Sequence, residues 1–145
     1  MKTKHVQEVP LRRKLGVAMV ESYTKAYEKS QRYFATYDLT SQQYNVLSIL
    51  HKAGRPMSTS DILEQMIEKN AGVSRLVDRL INKNLVVKEV NAVDKRLIDI
   101  SLTTKGEQLY QEVTLHLSAV DLVYSTLTDA EVETLISLLL KIKED

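Results

Sequence analysis

Between Ser58 and Gly106 two short helical patterns and a hairpin pattern follow one another with almost no spacer, and few folds accept that order. In the second helix Val73, Leu76, Val77, Leu80 and Ile81 fall at i, i+3, i+4, i+7 and i+8, so one face is buried. The opposite face carries Ser74, Arg75, Asp78, Arg79 and Asn82, with Lys69 and Asn70 expected at its start, where a helix N-terminus offers unpaired backbone N–H groups. The preceding helix has Ser58 as its N-cap, Asp61 three residues on, and Ile62, Leu63 and Met66 as a buried stripe. Only Ile67, Glu68 and Lys69 then separate the two helices, the spacing of a helix-turn-helix.

After the second helix, Leu85 to Val90 reads as a strand, and Ile98, Ile100 and Leu102 alternate with Leu97, Asp99 and Ser101 in another. The connection holds Asn91, Asp94, Lys95 and Arg96 and is expected to expose almost nothing apolar. A helix-turn-helix followed by a basic hairpin is the layout of a winged helix facing DNA. A narrow minor groove draws arginine because its negative potential deepens. Asp94, two residues before Arg96, would repel phosphate by itself, and is read as a brace that fixes the guanidinium.

The run Asn70-Ala71-Gly72-Val73-Ser74-Arg75-Leu76-Val77-Asp78-Arg79-Leu80, the wing Asp94-Lys95-Arg96 and the closing Leu102-Thr103-Thr104-Lys105-Gly106 resemble, in order and spacing, the MarR family of bacterial transcriptional regulators. The resemblance extends over essentially the whole chain. Two departures stand out: Ile67 occupies the turn where many members have glycine, and Ala71-Gly72 stands where a small polar residue is usual. The turn is therefore expected to be an extra part-turn of helix. Gly72 inside a helix costs about 1 kcal/mol relative to alanine, so it either lets the backbone approach DNA closely or marks a late helix start.

The 145 residues suit one domain, and a hydrophobic fraction of 43% supplies a core. With only two prolines and four glycines the expected class is mainly α, an α+β winged helix over about 39–103 flanked by long helices over about 8–38 and 104–145. Met1 to Pro10 has no apolar h-region and no run approaches a membrane span, so a soluble, cytoplasmic protein is expected. A net charge of only +1 seems at odds with nucleic-acid binding, yet its distribution is uneven. Lys69, Arg75, Arg79, Lys83, Lys88, Lys95 and Arg96 crowd the stretch from Met66 to Arg96, whereas acidic residues dominate from Glu107 to Asp145.

The acidic half reads as a dimerisation unit. From Thr104 to Leu127, Leu109, Val113, Leu117, Val120, Val123, Tyr124 and Leu127 form a long stripe. Thr128 and Glu131 make a capping box for a last helix bearing Val132, Leu135, Ile136, Leu139 and Ile142. The first helix, roughly Leu11 to Tyr37, adds Leu15, Met19, Tyr23, Tyr27 and Phe34. This is more apolar surface than one winged helix covers, so a symmetric partner is expected; the alternative is a monomer folding these helices onto itself. The resemblance implies that first and last helices interlock between subunits. Two recognition helices about 34 Å apart would then read an inverted-repeat operator in double-stranded DNA. Arg75 and Arg79 are the candidates for the major groove, although one could instead hold phosphate or pair with Asp78. Ser74 and Asn70 either read base edges or satisfy backbone, Asn70 as an N-cap. Lys69, Lys83, Lys88 and Ser58 are candidates for phosphate, which sets register and not sequence; Lys83 could equally be an ordinary solvated lysine. Asp94, Lys95 and Arg96 complete the DNA-binding set.

Tyr23, Tyr27, Tyr33, Phe34, Tyr37 and Tyr44 crowd the first helix and the start of the second. The resemblance implies a small-molecule effector, phenolic or an anionic lipophile, near Phe34, Tyr37, Tyr44 and His51; the alternative is that these side chains are packing. The absence of cysteine excludes thiol switches and cysteine-ligated metals. His5, His51 and His116 lack metal-binding spacing, so no metal or cofactor is expected. No phosphate loop, nucleophile elbow or catalytic dyad marks an enzyme. The reading is a homodimeric, ligand-released repressor; the alternative is a winged-helix adaptor for proteins, which predicts an apolar or acidic exposed helix face.

Overall fold

The computed structural model describes residues 8–143, so His5, Glu144 and Asp145 lie outside it. Helix α1 (Leu11–Ala35) runs into α2 (Ser41–Ala53) through a turn in which Asp38 takes a left-handed φ of 56°. α1 thus stops short of Tyr37, because the Tyr37 and Leu39 amides both fold back onto the Phe34 carbonyl. Thr40 and Gln43 form a reciprocal capping box at the start of α2, and Gly54, in the left-handed region, ends it.

Helix α3 (Thr59–Gln65) begins as its sequence requires, with Ser58 Oγ accepting the Asp61 amide at 3.1 Å. Helix α4 (Val73–Asn82) begins later than expected. Met66–Gly72 lies between the helices, where the sequence suggested only Ile67–Lys69 and an added part-turn of helix. Met66 leaves α3 in extended backbone and sinks its side chain into the core, which ends the helix. Lys69 Nζ then donates to the Glu64 carbonyl, the Ala71 amide closes a turn on Glu68, and Gly72 is the N-cap of α4 with no side chain to cap it. Of the two readings of Gly72, the late helix start is the observed one. α4 buries Val73, Val77 and Leu80, each worth about 1.5–3 kcal/mol relative to exposure. It ends with Asn84 at φ 59° and the Leu85 amide on the Leu80 carbonyl, a closing turn that asparagine tolerates.

Strands β1 (Val86–Val90) and β2 (Ile98–Leu102) pair antiparallel, Val86 opposite Leu102 and Val90 opposite Ile98. Met57 adds an isolated bridge to Ile100, which hydrophobic patterning alone did not announce. Val86, at the start of β1, and Ile100, in the middle of β2, join Val46, Leu47, Met57, Ile62, Met66, Val77, Leu80, Leu85 and Val113 in the core. Helix α5 (Thr104–Leu115) starts on a Thr103 cap to the Gly106 amide at 3.0 Å. The long stripe expected from Thr104 to Leu127 is broken after Leu115. Short α6 (Ser118–Asp121) and a 3-10 turn at Leu122–Tyr124 follow, and the Leu117, Ala119, Val120 and Ser125 amides reach back three residues instead of four.

Helix α7 (Asp129–Lys143) starts on the expected box: the Thr128 amide donates to Glu131 Oε2 at 2.9 Å and the Glu131 amide to Thr128 Oγ1 at 3.2 Å. It has no buried residue, and Leu135, Ile136, Leu138, Leu139, Leu140 and Ile142 are exposed. Leu11, Leu15, Met19 and Tyr23 of α1 are exposed too. No described helix is long and apolar enough to cross a membrane.

Candidate nucleic-acid interface

The apolar spacing of α4 turns Val73, Val77 and Leu80 inward, which leaves Ser74, Arg75, Asp78, Arg79 and Asn82 on the outer face. Asp78 pairs with neither arginine. Its carboxylate holds Lys88 Nζ at 2.8 Å, tying β1 to α4 and occupying a lysine read from sequence as a phosphate contact. Arg75 and Arg79 have no ion-pair partner among the described residues. With Gln42, Glu68, Ala71, Gly72 and Leu76 they line a cleft of about 300 Å³.

Of the other residues proposed from sequence, Lys69 and Lys83 are already engaged. Lys69 is held by the Glu64 carbonyl, and Asn70 is exposed in the turn, away from the N-cap position. Ser58 caps α3 with its oxygen, which leaves its O–H free to donate. Lys83 bridges the Asp38 carbonyl and Gln43 Oε1, so it anchors the end of α4 to the α1–α2 turn and is neither free in solvent nor open to phosphate. Gln42, missed at the sequence level, donates to Tyr27 Oη at 2.9 Å and to Glu68 at 3.4 Å beside both arginines; no motif points to it.

The wing is fixed by its own side chains. Asn91 Oδ1 accepts the Val93 and Asp94 amides at 2.9 and 2.8 Å, while its Nδ2 donates to both Asp99 carboxylate oxygens. Asp94 Oδ1 accepts the Arg96 amide at 3.0 Å and its Nε at 3.1 Å, and Oδ2 accepts Nη2 at 3.1 Å. The expected brace is thus a bidentate fork with a backbone bond added. The guanidinium beside it holds the Asp94 carboxyl below its usual range, and the carboxylate raises Arg96 in turn. Arg96 remains 89% exposed along its side chain, and Lys95 is exposed beside it. The tip is less polar than expected: Val93 is 97% exposed, because the Asn91 turn uses its amide and leaves its side chain without a neighbour to pack on.

The aromatic residues join in a chain. Phe34 stacks on Tyr44 with centroids 4.8 Å apart, Tyr44 on Tyr110 at 5.7 Å, and Tyr110 meets His51 at 4.3 Å. Tyr33 sits edge-on to Phe34 and to Tyr37. Phe34, Tyr44 and His51 are therefore brought together through Tyr110, a link the sequence reading did not include, and Tyr37 joins only through Tyr33. His51 Nδ1 lies 2.7 Å from Glu107 Oε1, and these two with Arg55 and Pro56 line a cleft of about 270 Å³. The bonds from His51 and Gln111 hold the Glu107 carboxyl below its ordinary range. No cluster of three metal-ligating side chains occurs among the described residues.

Residues 37–97, the stretch that carries α2 to the wing, match the MarR family. The chain is 38% identical over 94 residues to the transcriptional repressor MdtR of Bacillus subtilis, covering 64% of this chain and 60% of MdtR. It is 32% identical over 115 residues to the transcriptional regulator MgrA of Staphylococcus aureus, covering 78% and 76%. Among solved structures, a MarR-like transcription regulator from Bacillus cereus superposes with a TM-score of 0.82 at 26% identity, covering 92% of this chain and 96% of that one. A mutant of MarR from E. coli complexed with operator DNA gives 0.78 at 23%, covering 92% and 99%. An organohalide-sensing transcriptional regulator in its 2,4-dichlorophenol-bound form gives 0.82 at 18%, covering 99% and 85%. At these lower identities the likeness is one of fold. These relatives are regulators of transcription.

Proposed function

The chain belongs to the MarR family of winged-helix transcriptional regulators, and from that premise we propose that it is a homodimeric repressor of an inverted-repeat operator, released by a small phenolic or anionic lipophilic ligand. Residues about 39–103 form the DNA-binding unit, and the helices on either side form the dimer. The observation that carries the reading is the outer face of α4, where Arg75 and Arg79 have no ion-pair partner among the described residues, on a chain whose wing holds Arg96 braced by Asp94.

Arg75 reads a base edge in the major groove, and Arg79 reads the neighbouring base or holds phosphate. Arg96 enters the minor groove while Lys95 takes phosphate at its edge. Ser58 donates to phosphate through its free O–H; Ser74 and Asn70 meet base edges. Lys69 and Lys88 act mainly by fixing the turn and strand that carry the reading residues, and Asp94 acts through Arg96. The bare apolar faces of α1 and α7 support the dimer. The bound dichlorophenol in a regulator of the same fold supports a phenolic effector, and Phe34, Tyr37, Tyr44 and His51 are the residues proposed to meet it.

Binding to DNA from upstream of the protein's own gene, titrated with salt and nonspecific competitor, tests the reading. Two protected half-sites that survive competitor are expected, with release on adding a chlorophenol. Weak binding that collapses steeply with salt and shows no footprint refutes specific recognition and favours the protein-contact alternative.

A further inference from the structure

Of the helices that flank the DNA-binding unit, α1 ends at Ala35 and α5 at Leu115. One side chain ties these two ends together. Tyr33, in the last turn of α1, donates its hydroxyl to the Val113 carbonyl at 2.5 Å. In an uninterrupted helix the Leu117 amide would take that carbonyl. It turns instead to Thr114 O at 3.2 Å, and the Ala119 and Val120 amides repeat the shorter step.

A second tyrosine acts on the adjoining residue. Thr114 Oγ1 donates to the Tyr110 carbonyl at 2.7 Å, a back-bond of the kind that bends helices. Its single hydrogen is thereby used, so in the 2.8 Å contact between Tyr44 Oη and Thr114 Oγ1 the tyrosine is the donor. Both rings lie in the aromatic chain, which fixes where their hydroxyls point. Burial raises both phenols, Tyr33 to about 12, so both remain neutral donors at physiological pH.

We propose that Tyr33 is a positioning residue for operator recognition: its hydroxyl, seconded by Tyr44 on Thr114, fixes the break after α5 and so sets the separation of the two recognition helices in the dimer. The inference rests on the dimeric reading above. Without the hydroxyl, the Val113 carbonyl is free to accept the Leu117 amide. α5 then continues toward α6, and each added helical residue swings the following segment by about 100° and 1.5 Å.

The chain has no cysteine, so Glu64→Cys, on the exposed side of α3, takes a single spin label per protomer. Pulsed dipolar spectroscopy on the full-length protein gives the distance between lobes, and a series of operators with altered half-site spacing gives the preferred separation. Tyr33→Phe and, as a second variant with a milder loss, Thr114→Val are each compared with the parent. The expected result is a displaced distance peak, on the scale of one helical turn, about 5 Å, with a changed spacing optimum and unchanged base preference within a half-site. A merely structural role would lower the melting temperature and leave distance and spacing in place. If Tyr33→Phe does not fold, Thr114→Val is read by the same criteria. Coupling present in the parent and unmoved in the folded variants overturns the inference alone; no coupling in the parent overturns the dimer reading and the inference with it.

Discussion

Gly106 offers a substitution whose sign separates two physical effects. It lies in the first turn of α5, in the Leu102-Thr103-Thr104-Lys105-Gly106 motif, where Ala would ordinarily favour the helix by up to about 1 kcal/mol. A Cβ placed there would stand 2.0 Å from the Leu85 carbonyl oxygen, 3.0 Å from its carbon and 3.3 Å from Leu102 Cδ2. The obstacle is mostly backbone, so no rotamer change relieves it, and α5 must move roughly 1.5 Å off the start of β1 to restore ordinary contact. That movement also strains the Thr103 amide bond to the same Leu85 oxygen, now 3.1 Å. Overpacking costs about 1–3 kcal/mol and a lost hydrogen bond about 1 kcal/mol. After the helix gain, Gly106→Ala is expected to destabilise by about 1–3 kcal/mol. For a chain of this length that lowers the melting temperature by roughly 2–12 °C. The assay is thermal and urea unfolding at matched protein concentration, since association shifts both midpoints. A midpoint equal to or above the parent's would refute the steric argument.

Arg75→Ala is expected to cost about 1–3 kcal/mol of operator binding and to relax base preference at one position per half-site, as a binding series over single-base operator variants would show; an unchanged series means another face reads the bases. Asp94→Asn removes a negative charge from the wing, so simple charge counting predicts tighter binding. The brace predicts a loss of roughly several-fold through a mispositioned Arg96, and tighter binding would refute it. Glu107 has its carboxyl depressed by His51 and Gln111, so its contribution is complete above the ordinary carboxylate range and is lost as pH falls through the depressed value. The stability gap between the parent and Glu107→Gln should therefore hold steady down to that range and close only below it; a gap closing near neutrality would contradict the assignment.

Much of the fold was legible because one periodicity decided it. The spacing of Val73, Val77 and Leu80 placed α4 inward and the arginines outward, Ser58–Asp61 and Thr128–Glu131 announced two helix starts, and the alternation around Ile100 gave β2. The Asp94–Arg96 fork was readable because two residues of a tight hairpin tip cannot avoid each other. What escaped depends on groups distant in sequence. The break after α5 is associated with a hydroxyl from Tyr33, a residue in α1, and no local propensity near His116 reports it. Lys88 and Lys83 looked like free cations until Asp78 and Asp38 were placed beside them. The turn before α4 lengthened because Met66 gained more by burial than by continuing a helix, a balance only the assembled core decides.

Helix α7 has fifteen residues and buries none of them within its own chain. A helix of that length is marginal in water unless its apolar face is covered. If a second copy supplies the cover, dissociation melts α7, and the protein's form becomes a function of its own abundance. Halving the number of chains then reduces the assembled pairs by up to fourfold where they are scarce, so an operator served this way would lose occupancy steeply on dilution, as when a growing cell divides faster than it replaces the protein.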